Sequence, residues 1–144
     1  MSSIRRYFMM NKNAETGGIW VQVNDVKFKI ARAGGSNKAF AKTLERLARP
    51  HRRAIQLESL DASLGEEIMH RAYAEAVMVA WDGPDESDIM AQADTDKEYA
   101  PLTFSVENCL ALFKAQPDLF SLIKELADNS ANYRQGTLED DSGN

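Results

Sequence analysis

The longest stretch of helical periodicity runs from Glu66 to Trp81, EEIMHRAYAEAVMVAW. Ile68, Met69, Ala72, Tyr73, Ala76, Val77, Val79 and Ala80 fall on one half of a helical wheel, with Glu67, Arg71 and Met78 on the other. Ser63 stands three residues before Glu66, the spacing of a capping box. Asp82-Gly83-Pro84 supplies the stop, because glycine accepts the left-handed cap and proline cannot continue a helix. The pattern predicts a helix over 66–82. An apolar arc this wide needs cover from several neighbours, or from a partner protein.

Strict alternation replaces this period between Ile19 and Ile30. Ile19–Val23 and Val26–Ile30 flank Asn24-Asp25, two residues that tolerate the positive φ of a tight turn. The implied register sets Val23 against Val26, Val21 against Phe28 and Ile19 against Ile30, all on one face. Gln22 then meets Lys27 and Trp20 meets Lys29 on the other face. The predicted hairpin, 19–30, must lay its apolar face on helices, since a lone hairpin is marginal in water. Ser36 can cap a helix over 37–48 whose buried stripe is Phe40, Leu44, Leu47 and Ala48, closed by Pro50. Ser105 caps a helix over 105–116 with Val106, Cys109, Leu110 and Phe113 on one face. Pro117 opens a last helix, 117–135, carrying Leu119, Leu122, Ile123 and Leu126. These two form an αα-hairpin. Asn11–Gly18 has a loop composition, 54–62 reads as a short strand or an extended link, and 85–98 reads as a mobile acidic connection. Residues 137–144, acidic and polar, are expected to be disordered. The expected class is mainly α (α+β): one domain over 1–136, a small helical bundle with an N-terminal β-hairpin packed on it.

Composition narrows the function classes. With 44% hydrophobic and 27% charged residues the chain has an ordinary globular balance. No apolar run reaches bilayer-spanning length, so no membrane partner is expected. The short apolar patch after the basic start is not a signal peptide. Cys109 is the single cysteine, which excludes an intrachain disulfide and makes a reducing cytoplasm the expected compartment. The net charge of −5 conceals a polarity along the chain. Residues 1–53 hold 12 Lys/Arg against 3 Asp/Glu, and residues 82–144 hold 4 against 14. Such a gradient can close within one molecule or direct head-to-tail contact between molecules.

Candidate chemistry is sparse. His51 and His70 have no partner at metal-ligand spacing, and neither HExxH nor CxxC occurs. Cys109 lies on an apolar stripe, the setting of a core thiol and not of a nucleophile. Asp94-Thr-Asp96-Lys-Glu98 alternates carboxylates like an EF-hand loop but has Tyr99 where the glycine belongs. Gly34-Gly35 lacks the flanking pattern of a phosphate cradle. No catalytic residue, cofactor or metal is expected. Two surfaces remain. Lys38, Lys42, Arg46, Arg49, Arg52 and Arg53 form a basic patch that could meet phosphates. Its lack of stacking aromatics and the acidic balance of the whole chain favour a solvated face instead. Met78, Trp81, Leu112 and Phe120 fall off the apolar stripes, as a partner interface or as a second core face.

Two segments resemble the tail assembly chaperones of long-tailed bacteriophages. One is AYAEAVMVAWDG (Ala72–Gly83), an Ala-rich helix closing on tryptophan. The other is PLTFSVENCLALFKAQPDLFSLIKELADNSANYR (Pro101–Arg134), with an extended entry, a capped helix, a proline corner and an amphipathic helix. The resemblance implies a small protein of the host cytoplasm, absent from the mature virion. It would bind the tape measure protein and assist assembly of the tail tube protein, without catalysis; the charge gradient along the chain would also permit self-association. Alternatives are a structural or connector protein of the virion and a small nucleic-acid-binding regulator.

Overall fold

The computed structural model describes residues 1–136; the tail predicted over 137–144 lies outside the described residues. Two short helices, α1 (Ser3–Tyr7) and α2 (Lys12–Gly17), precede strands β1 (Ile19–Val23) and β2 (Val26–Ile30). Helix α3 (Lys38–Ala48) continues through a 3-10 turn at Arg49–His51 into α4 (Arg52–Gln56). Helix α5 (Ala62–Ala76) leads into β3 (Met78–Asp82). A 3-10 turn at Glu86–Ile89, then α6 (Val106–Ala115), α7 (Pro117–Asp128) and a final 3-10 turn at Ser130–Tyr133 complete the order. The result is the mainly helical α+β fold that the periodicities predict, with a small antiparallel sheet.

The hairpin forms in the predicted register, from Ile19↔Ile30 to Val23↔Val26, with Asn24 at φ 58 in the turn. The sheet, however, has a third strand. Helix α5 ends at Ala76, and Met78–Asp82 pairs antiparallel with β2, giving the order β1-β2-β3. The helix predicted over 66–82 is therefore a helix and a strand. The physical reason lies in the residues: Val-Met-Val-Ala-Trp is β-branched and aromatic, and β2 offers an open edge whose backbone groups need partners. A bulge between Lys29 and Ile30 in the ladder turns Val79 aside and breaks the alternation that would have marked the strand. The start moves too. Asp61 caps α5 by accepting from the Ser63 N–H at 3.0 Å, so the cap is two residues ahead of Ser63.

The inner face of the sheet packs against α5, α6 and α7. Phe28, Ile30, Tyr73, Val77, Phe113 and Ile123 are among the side chains that fill this core. Ser105 caps α6 as predicted, accepting from the Asn108 N–H at 3.1 Å, and Pro117 opens α7. Helix α3 lies on α5, with Phe40 meeting Tyr73 edge to face at 5.2 Å. Its expected Ser36 cap gives way to Asn37, whose buried amide instead donates to the carbonyls of Arg32 and Ala76.

Residues 11–18, with their loop composition, hold a helix with a buried charge. The Glu15 carboxylate is sealed from solvent and accepts from Arg32 Nη1 at 2.6 Å and from the Ser36 N–H at 3.3 Å. Gly35, at φ +56, packs directly on this pair, where any Cβ would collide with the Glu15 carboxylate. The glycine loop thus cradles an anion after all, and the anion is the chain's own. Burial raises the Glu15 pKa, but the Arg32 and Ser36 hydrogen bonds outweigh it, and the net shift is downward. Around this pair the two ends of the chain meet. The Asn11 N–H donates to the Tyr133 carbonyl at 2.9 Å, the Gln135 N–H donates to Met9 at 2.8 Å, and Met10 bridges to Arg134.

Candidate interaction surfaces

Three of the four side chains expected at a partner interface are core residues. Met78 is 5% exposed, Leu112 2% and Phe120 8%. Met78 lies opposite Ile30 in the ladder, so its position on a helical wheel has no meaning. Leu112 belongs to the same core cluster as Phe28 and Ile30 and borders a concavity with Val26 and Phe28, because α6 is covered by the 3-10 turn at Glu86–Ile89 and by α7 as well as by α5. Phe120 stacks with His70 at 4.3 Å, Phe113 at 4.9 Å and Tyr73 at 5.3 Å. Trp81 is half-buried: its Nε1 donates to the Leu102 carbonyl at 2.8 Å, and its ring sits edge to face with Phe104 at 5.0 Å. These residues form a second core face, and the expectation of an exposed interface at Met78, Leu112 and Phe120 is corrected.

The exposed apolar surface lies elsewhere. Met1, Ile4, Tyr7 and Phe8 are each more than half exposed, and Met9 adds to them. They sit on and beside α1, together with Arg5 and Arg6 in its last turn. The base of this projection is held by Arg134, whose guanidinium lies 4.6 Å from the Tyr7 ring centroid and 5.0 Å from that of Phe8. Tyr7 and Phe8 themselves meet edge to face at 4.8 Å. The stretch is legible in the sequence as the apolar run Tyr7–Met10; what the sequence does not give is the absence of cover from the core.

All six residues of the basic patch are exposed along α3, the following turn and α4. Arg46 pairs with Glu75 at 2.8 Å and Arg49 with Glu45 at 3.5 Å. Lys38, Lys42, Arg52 and Arg53 form no ion pair among the described residues.

The titratable groups offer little that is reactive. His70 borders a cleft of about 520 Å³ between α5 and α6, 3.6 Å from Glu66. Burial lowers its pKa, against the pull of Glu66 and Glu67, which favours the neutral imidazole. Cys109 is fully buried and its thiol is pushed up to about 12 by burial. At Asp94–Glu98 the Asp94 carboxylate accepts from the Asp96 N–H at 2.9 Å, and the Tyr99 hydroxyl accepts from the Asp94 N–H at 3.0 Å. Among the described residues no cluster of His, Cys, Asp and Glu has the makings of a metal site, and no helix is long and apolar enough to cross a membrane.

A family model described as YdaY prophage protein matches residues 35–144. The basic patch lies inside that match and the α1 projection outside it. No curated protein and no solved structure matches the chain.

Proposed function

The chain belongs to the YdaY prophage protein family, and from that premise we propose that it is a tail assembly chaperone that acts by binding and not by catalysis. Its client in this reading is the tape measure protein, with the tail tube protein as the second partner, in the cytoplasm of the host and outside the finished virion. The phage origin is shared with the sequence resemblance. Of the two segments that carry that resemblance, Pro101–Arg134 keeps its extended entry, capped helix and proline corner. Ala72–Gly83 departs from it, since its tryptophan sits on a strand.

The observation that carries the binding role is the exposed cluster at Met1, Ile4, Tyr7, Phe8 and Met9. A chaperone without an energy source needs apolar side chains already on display, on a body that stays charged. Methionine and aromatic side chains suit such a surface, because they adapt to helical clients of varied sequence. The flanking Arg5 and Arg6 keep the projection hydrated.

The test is coexpression with the tape measure polypeptide of the same prophage. The expected result is a soluble complex that copurifies, where the client expressed alone aggregates. A client that is equally soluble without this protein overturns the reading. Detection of the protein in purified virions by mass spectrometry would favour a structural component instead.

A further inference from the structure

We propose that the basic face of α3 and α4 is the docking surface for the acidic 82–98 segment of a second copy of this chain, so that copies join head to tail. The inference rests on charge placement and stands whether or not the client is a tape measure protein.

The two charged regions leave the sheet at opposite ends. Strand β3 begins at Met78 beside Ile30 and finishes at Asp82 beside Lys27. The chain reaches α3 from the Ile30 end of β2 and reaches the acidic segment from the Asp82 end of β3. At roughly 3.3 Å per residue the two points of departure lie about 13 Å apart. That exceeds the Debye length of about 8 Å at physiological salt, and among the described residues no ion pair joins the two regions within one molecule.

Both regions are uncompensated. Residues 38–53 hold six Lys/Arg against Glu45, and four of the six lack an ion pair among the described residues. Residues 82–98 hold seven carboxylates against Lys97. None of the seven makes an ion pair among the described residues, although Lys27 faces Asp82 across the ladder. The acidic segment is also shaped to project. Its neck is closed by the Glu86 N–H on the Ala100 carbonyl and the Leu102 N–H on the Pro84 carbonyl, both at 2.9 Å. Everything from Met90 to Glu98 is exposed.

A second copy fits the basic face better than nucleic acid does. The net charge of −5 repels phosphates, and the aromatic ring of α3, Phe40, is turned onto Tyr73 and unavailable for stacking. The complementary charge is supplied on every copy, in equal number. Unlike patches on one chain make a heterologous contact, which extends beyond a dimer.

Sedimentation velocity of the full chain at about 0.01 M and about 1 M salt tests this. The wild type should form species larger than a dimer at the low salt and run as a monomer at the high salt. Two full-length variants carry three reversals each at exposed positions: Lys38→Glu, Lys42→Glu and Arg53→Glu in one, Asp94→Lys, Asp96→Lys and Glu98→Lys in the other. Each should be monomeric alone at low salt with an unchanged melting temperature. Their equimolar mixture should associate again, since one brings an acidic segment and the other a basic face. A wild type that stays monomeric or stops at a dimer overturns the proposal. So does association that persists in either variant alone, or a mixture that stays monomeric. A monomer that shifts only on adding duplex DNA overturns it in favour of nucleic acid.

Discussion

Tyr7–Met10 and Val77–Trp81 are similar in makeup, short apolar runs with methionine and an aromatic ring, and they end up in opposite places. The second run becomes a strand against β2, with Val77 and Met78 in the core. The first ends in solvent, with Tyr7 63% and Phe8 54% exposed. Local hydrophobicity is the same in kind; what differs is whether a neighbouring edge offers backbone partners. Val77–Trp81 follows a helix packed on the core and is delivered to the open side of β2. Among the described residues Tyr7–Met10 is met by the Arg134 guanidinium, by the Met10–Arg134 bridge and by the Gln135 N–H on the Met9 carbonyl. A run whose side chains are left this exposed is available to another polypeptide.

The largest effect should come from placing charge in the buried run. Met78→Asp puts a carboxylate in the core without a partner and should cost more than about 4 kcal/mol, leaving the protein unfolded or insoluble in a thermal melt. Retention of a native melting curve would mean that Met78 is free to leave the core. The next effect tests the buried ion pair between α2 and the glycine loop. Glu15→Gln should cost about 3 kcal/mol, at the lower end for a broken buried pair because the Arg32 side chain is 21% exposed and can recruit water. Folding lowers the Glu15 pKa below its ordinary value of 4.5. The stabilisation is therefore complete above pH 4.5 and is lost as pH falls through the folded-state value. Denaturant titrations of wild type and variant should converge below about pH 4.5 and stay parallel above it.

Smaller effects sharpen the contrast. Trp81→Phe keeps the ring but removes the Nε1 bond to the Leu102 carbonyl, and should cost about 1 kcal/mol in a denaturant titration. Ile4→Asp, at a position 72% exposed, should change stability by no more than about 0.5 kcal/mol.

Much of the fold is legible in the sequence where one period holds. The hairpin register follows residue by residue from the alternation, α6 follows from a serine cap, and α7 starts at its proline but stops at Asp128, short of the predicted 135, where Asn129 turns extended and caps a 3-10 turn. Legibility fails where two periods join without a break. Glu66–Trp81 reads as one helix because Val77, Val79 and Ala80 sit acceptably on the helical arc, while the bulge near Val79 removes the strand's own alternation. On a helix over that whole span Met78 and Trp81 point away from the apolar arc, whereas on the strand Met78 faces the core. Leu112 and Phe120 differ from expectation for another reason: a wheel with one buried stripe assumes one packing neighbour, and α6 and α7 each have more. The Glu15 site carries no local signal, because its partner, Arg32, is distant in sequence and its cradle is a glycine loop with the composition of an ordinary chain break.

The most direct test compares the wild type with the double variant Ile4→Asp, Phe8→Asp in copurification with the coexpressed tape measure polypeptide, each checked first for an unchanged melting temperature. The account predicts that the folded double variant no longer retains the client. Full retention by that variant would contradict it, and would place the client's contacts away from the α1 projection.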